Sequence, residues 1–148
     1  MMLAEYLPNE NIVFSNASRW QDAIEAAAQP LLTKQLIKLE YIDAIKTAIS
    51  NPGGTYMDLG YGITLAHARP ENGALQTALS LASLSSTVFL NDNADHPMRL
   101  VFILAASDST SHLSLMRNLS LFLGDQTARE NLIQAKSISE ISELLARF

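Results

Sequence analysis

Three histidines are the side chains best equipped for covalent chemistry in this chain of 148 residues, which has no cysteine. The missing thiol excludes disulfide frameworks, thiolate zinc sites and cysteine nucleophiles together. His67 follows the apolar run Ile63-Thr64-Leu65-Ala66 and precedes Ala68-Arg69-Pro70-Glu71-Asn72-Gly73. It therefore stands where a strand runs out into a Pro/Gly loop, the place where α/β sheets commonly hold reactive groups. A neutral imidazole is a good nucleophile. Arg69, two residues on in an extended segment, projects to the same side, where its guanidinium can clamp phosphate oxygens. On local grounds alone a second reading stands beside this one: a strand-end histidine satisfied by its surroundings, with no chemistry to perform.

His112 follows Ser107-Asp108-Ser109-Thr110-Ser111 at the start of a helical pattern in which His112, Leu115, Met116, Leu119, Phe122 and Leu123 share one stripe. The imidazole is expected in the first helical turn, facing the sheet, as a neighbour for His67. The free N–H groups and dipole of a helix start favour an anion, and a second imidazole there can donate to phosphate oxygens. Packing at a helix start is the competing explanation. His96, within Asn91-Asp92-Asn93-Ala94-Asp95-His96-Pro97, reads as an exposed loop residue, and nothing in the spacing of Asp92, Asp95 and His96 supports a metal site. The chain has no G-x-x-x-x-G-K-[ST] loop, no H-E-x-x-H pair and no G-x-S-x-G elbow. Gly60-Tyr61-Gly62 is too short for a dinucleotide fingerprint and reads as a bend between strands.

The elements that must position these residues follow from periodicity. Ile12-Val13-Phe14 is a short strand. Ser18 can cap a helix carrying Trp20, Ala23, Ile24, Ala27 and Leu31, which Pro30 should bend or shorten. A second helix over 39–50 places Tyr41, Ile42, Ile45 and Ile49 on one stripe and stops at Asn51-Pro52-Gly53-Gly54. Strands are expected over 56–59, 63–67, 75–84 and 98–106. Helices are expected over 109–123 and 125–134, with a last one opening on the capping pattern Ser137-Ile138-Ser139-Glu140. Helices flanking a strand-rich centre predict an α/β fold, a three-layer α/β/α sandwich with a mixed central sheet.

The length suits one domain over 1–148, and no stretch reads as an interdomain linker. A hydrophobic share of 48% with 17% charged residues is ordinary globular usage, which excludes disordered and fibrous readings. Net charge is −5, with Lys and Arg scattered, so nucleic acid is not an expected partner. The N-terminus has no basic start or long apolar core, and no apolar run approaches membrane length; a cytoplasmic protein, not embedded in a membrane, is expected.

Set in these surroundings, the two histidines carry a family resemblance. Gly62-Ile63-Thr64-Leu65-Ala66-His67-Ala68-Arg69-Pro70-Glu71-Asn72-Gly73 is similar to a segment of the form G-hydrophobic-x-x-P-H-A-R-P-E-x-G. That segment belongs to the mannitol/fructose class of enzyme IIA domains of the sugar phosphotransferase system (PTS). Tyr41 through Ile45 and the Ala106-Ser107-Asp108 run leading to Ser111-His112 extend the likeness over nearly the whole chain, which looks most like the ascorbate-type and cryptic-mannitol-type members. The resemblance implies that His67 accepts a phosphoryl group from the phosphohistidine of the carrier HPr. It then passes the group to a cysteine of a cognate enzyme IIB, which serves the membrane enzyme IIC. His112 would contact the phosphoryl group without carrying it. No metal, nucleotide or other cofactor is implied. Two departures from the class stand out: Ala66 replaces the usual Pro before the histidine, which is expected to relax the backbone there, and Ser50-Asn51-Pro52 stands where mannitol and fructose members carry an Arg. Arg69 is the candidate to supply that charge. A regulatory relative of the nitrogen-related branch and a non-catalytic interaction module are the alternatives on the same fold. An apolar rim around His67 is expected from Tyr61, Leu65 and Leu113.

Overall fold

A computed structural model describes residues 2–108, 110 and 112–148. Five strands form one mixed sheet: β1 (Ile12–Ser15), β2 (Asp58–Gly60), β3 (Ile63–Ala66), β4 (Ala78–Phe89) and β5 (Pro97–Ala105), in the order β1-β4-β5-β3-β2. β1 runs parallel to β4, and β3 runs parallel to β5. The β4–β5 and β2–β3 pairs are antiparallel. The helices are α1 (Leu3–Tyr6), α2 (Trp20–Thr33), α3 (Leu39–Ser50), α4 (Leu113–Leu123), α5 (Gln126–Gln134) and α6 (Ile138–Leu145).

Side-chain alternation on the central strands explains the layering. Along β5, Leu100, Phe102 and Leu104 enter one core with Ile63 and Leu65 of β3, packed under α1, α4, α5 and α6. Val101, Ile103 and Ala105 enter the other with Ala66 of β3, packed under α2 and α3. A strand buried on both faces reads as the unbroken apolar run seen in the sequence. Each large side chain withdrawn from water contributes roughly 1.5–3 kcal/mol. The expected three-layer α/β/α arrangement is thus the observed one. The helix stripes agree with it: Tyr41, Ile42, Ile45 and Ile49 are buried on α3, and Leu115, Leu119 and Phe122 on α4.

Several boundaries differ from expectation, each for a local reason. The stretch from Gly54 to Met57 is a 3-10 turn and not strand, because Gly53 turns the chain in a left-handed conformation (φ 82°) and folds it back onto the end of α3. β4 starts three residues late, since the N–H groups of Leu75 and Gln76 are drawn to the Leu36 carbonyl. The strand then continues to Phe89 through an irregular register. α2 is capped at Arg19 rather than Ser18 and runs one turn beyond Pro30. α4 opens at Leu113, four residues later than expected; Asp108 Oδ1 takes the N–H of Thr110 and turns the chain before the helix, while Ser109 and Ser111 lie outside the described residues. α1 has too few residues to show a period, but Leu3 is fully buried beneath α4 and α6. Ser137 caps α6 through the Glu140 N–H, and Glu140 reaches back to the N–H of Lys136.

A Cβ on Gly54 would lie 2.0 Å from the carbonyl oxygen of Ala48 and 2.6 Å from that of Ile49. Gly54→Ala is therefore expected to lower the unfolding free energy by about 2 kcal/mol or more, since backbone must move to admit the methyl group. A urea midpoint equal to that of the parent protein would contradict this packing.

Candidate active site

Parallel pairing brings the C-terminal ends of β3 and β5 to the same end of the sheet, in register through Ala66↔Ile103. His67 follows the last paired residue of β3. The chain leaving β5 passes Ala106 and Asp108 and returns at His112, the residue that opens α4. His67 and His112, 45 positions apart in the sequence, here line one shallow depression of about 160 Å³ together with Tyr41, Ala68, Pro70, Leu104, Ala106 and Asp108. The two histidines are thus brought together as the sequence predicted, although His112 precedes the helix instead of occupying its first turn.

The ring of His67 is held by its own strand. Its Nδ1 lies 3.0 Å from the carbonyl oxygen of Leu65. A carbonyl can only accept, so Nδ1 carries the proton and Nε2 keeps a free lone pair. Tyr56, on the Gly54–Met57 turn, meets the imidazole in a T-shaped contact with centroids 5.6 Å apart, a second restraint on the ring. Ala66 remains in the strand register against Ile103, so the sheet fixes the backbone before His67 without the ring constraint of a proline.

His112 contributes differently. Its Nδ1 is shielded from solvent and has no hydrogen-bond partner among the described residues. The rest of the ring lines the depression and is the part an incoming group can meet. α4 carries no side-chain cap at its start, so its first-turn N–H groups add a partial positive charge. Arg69 is exposed and lies outside the lining of the depression; its carbonyl accepts the Asn72 N–H at 3.0 Å, while its guanidinium forms no ion pair or hydrogen bond among the described residues.

Tyr41 reaches the site from α3. Its hydroxyl donates to the Leu104 carbonyl at 2.7 Å and accepts the N–H of Ala68 at 3.1 Å, with the Ala68 carbonyl also near at 3.2 Å. Burial pushes the phenol above its ordinary pKa, and the hydrogen bond at Ala68 opposes the shift in part. Sequence periodicity placed Tyr41 on the buried stripe but gave no signal for its hydroxyl. Tyr56 was missed because the segment read as strand; the Gly53-Gly54 pair was the available sign of a turn.

His96 is not a free loop residue. Its Nδ1 lies 2.7 Å from Asp58 Oδ2, and the other oxygen of Asp58 takes the Gly60 N–H. Of the expected rim, Leu65 is buried in the α4-side core and Tyr61 sits in the β2–β3 turn, at the other end of β3 from His67, under the guanidinium of Arg129 at 3.9 Å. Leu113, the third residue of the expected rim, is 61% exposed beside His112, and Tyr56, which was not expected there, is 59% exposed against His67.

The sequence profile described as "Phosphoenolpyruvate-dependent sugar phosphotransferase system, EIIA 2" matches residues 5–148. The chain is 37% identical over 148 residues to the mannitol-specific cryptic phosphotransferase enzyme IIA component of Escherichia coli K12, covering 99% of both chains. The solution structure of that E. coli enzyme superposes over 100% of each chain with a TM-score of 0.90 and 36% identity. The ascorbate-specific PTS system EIIA component of Shigella dysenteriae is 27% identical over 135 residues, 90% of this chain and 86% of that one. An E. coli enzyme IIA-mannitol solved in complex with phosphorylated enzyme IIB-mannitol matches over 94% of this chain and 96% of its own, with a TM-score of 0.79 and 26% identity.

Because the phenol pKa of Tyr41 is raised on folding, the stability it confers is complete below the ordinary phenol range. It is lost as the pH climbs from the unfolded pKa, about 10, through the higher folded one. Unfolding free energies measured between about pH 8 and pH 12 are expected to fall more steeply for the wild type than for Tyr41→Phe. Parallel curves would contradict the buried neutral phenol.

Proposed function

The chain belongs to the EIIA 2 family of the phosphoenolpyruvate-dependent sugar phosphotransferase system, and from that premise we propose that its phosphoryl group is carried on Nε2 of His67. Membership makes it a phosphoryl carrier of sugar uptake. The observation that supports His67 as the carrying residue is the Nδ1–H bond to Leu65, which leaves Nε2 as the free nucleophile in a depression shared with a second histidine.

In this reading the donor is the phosphohistidine of HPr. The Nε2 lone pair forms a bond to phosphorus as the donor's P–N bond breaks and its electron pair returns to the donor ring. Nδ1 keeps its proton, so the phosphorylated ring is an imidazolium, and the Leu65 carbonyl stabilises its positive charge. That charge also makes the ring a good leaving group. In the second step a thiolate of enzyme IIB forms the S–P bond while the Nε2–P bond breaks, returning a neutral imidazole with its proton still on Nδ1. No proton crosses the site in either direction. Transfer of this kind depends on in-line placement and charge neutralisation.

His112 is assigned to a phosphoryl oxygen through the part of its ring that lines the depression, and the start of α4 adds its dipole. Arg69, which is exposed, is assigned to the incoming phosphate from the rim. The partner enzyme IIB is supported by the complex formed by the mannitol relative; HPr as donor, the membrane enzyme IIC and a cytoplasmic setting follow from the same family role. Among the described residues no helix is long and apolar enough to cross a membrane. Tyr56 and Leu113 offer the apolar contact for both partners, which must use the same face in turn. Encounters of this type bury little area and are brief.

Incubation with phosphoenolpyruvate, enzyme I and HPr is expected to add one acid-labile phosphoryl group by intact mass. The adduct should vanish in His67→Ala and persist in His112→Ala, forming more slowly there. Arg69→Ala should slow the transfer by about tenfold, the scale of one lost charge-assisted contact. An adduct retained in His67→Ala would overturn the assignment, and a normal rate in Arg69→Ala would remove Arg69 from it.

A further inference from the structure

The pairing of β3 with β5 stops at Ala66↔Ile103, although β5 itself runs on to Ala105. Continued in the same register, the two chains would next bring the backbone around Ala68 against that of Leu104. In their place the hydroxyl of Tyr41 stands in series between them: the Ala68 N–H donates to it at 3.1 Å, and it donates to the Leu104 carbonyl at 2.7 Å. A hydroxyl has one hydrogen and free lone pairs, so it can relay these two groups in this sense. Tyr41 is 1% exposed and packed in the core under α3, so water does not compete at that point.

We propose that Tyr41 is a positioning residue for phosphoryl transfer, a wedge that ends the β3–β5 ladder and opens the depression between His67 and His112. The inference rests on His67 being the carrier. The Ala68 N–H belongs to the peptide that begins at the His67 carbonyl, so the bond to Tyr41 fixes the backbone immediately after the nucleophile. The Leu65 carbonyl fixes the ring from the other side. Leu104, the other end of the relay, lines the depression itself and lies two residues before Ala106 on the path to His112. One phenol oxygen thus sets both the orientation of His67 and the spacing between the two histidine-bearing chains. Removing it leaves two outcomes for the backbone. The Ala68 N–H and Leu104 carbonyl close on each other and narrow the depression, or both remain buried and unpaired. Either one displaces Nε2 from the line of transfer, where small displacements are expensive in rate.

Tyr41→Phe keeps the ring and removes only the oxygen. In single-turnover transfer from phosphorylated HPr it is expected to be about tenfold slower at saturating donor, with the half-saturating donor concentration unchanged, because the docking face is untouched. A folded Tyr41→Phe with the parental rate, or one whose loss is confined to half-saturation, overturns the proposal. Absence of phosphoryl transfer to His67 in the wild type would instead reject the carrier assignment, so the two failures are told apart in the control. Should Tyr41→Phe fail to fold, amide exchange in the wild type decides: the Ala68 amide is expected to be protected like those inside β3, and exchange as fast as that of exposed Glu71 overturns the wedge.

Discussion

Two adjacent strands that run the same way must end at the same edge of the sheet, and that constraint places the chemistry of this molecule. β3 and β5 are joined in sequence only through β4, which lies on the far side of β5. The chain leaves β3, crosses to β4 and returns by a hairpin, so the ends of β3 and β5 meet without any short connection between them. His67 sits directly on one end, and His112 returns to the other after a turn held by Asp108. Both strands are anchored through their apolar faces in two cores. The site therefore rests on a rigid frame, which in-line transfer requires.

Within that frame, hydrogen bonds to backbone atoms choose the protonation state. The Leu65 carbonyl is two residues from the ring it orients, on the same strand, and needs no acidic side chain to hold the imidazole tautomer. A carboxylate in that place would hold the Nδ1 proton more tightly and compensate the imidazolium charge more strongly. In the proposed transfer a neutral carbonyl would support the charged ring enough to form while leaving the N–P bond easy to break, which is what a carrier that must give up its phosphoryl group needs. Tyr56 and the α3 hydroxyl restrain the same ring and its following peptide, and the turn that presents Tyr56 is itself set by the close approach of Gly54 to α3.

What the sequence disclosed, and what it hid, follows from the range of each interaction. The three layers were legible because β5 is apolar on both faces and α3 and α4 carry apolar stripes of helical period. His67 was legible as a strand-end residue before a Pro/Gly loop, and His112 from its stripe and the family likeness. Tyr41 was hidden, since a buried tyrosine in a helical stripe looks like any core residue until its hydroxyl is seen between Ala68 and Leu104, 27 and 63 positions away. The same holds for His96, which looked like a loop residue because Asp58 is 38 positions distant. Tyr61 and Leu65 were misplaced for a different reason. Nearness to His67 in sequence is not nearness to its free face: Leu65 points into the core, and Tyr61 lies at the far end of the strand.

The nitrogen that carries phosphorus is the most direct test of how the strand-held imidazole works. Phosphorylated, 15N-labelled protein examined by long-range proton–nitrogen correlation with phosphorus coupling should place the phosphoryl group on Nε2 of His67, with the proton retained on Nδ1. Phosphorus coupled to Nδ1 of His67, or to a ring nitrogen of His112 or His96, would contradict it.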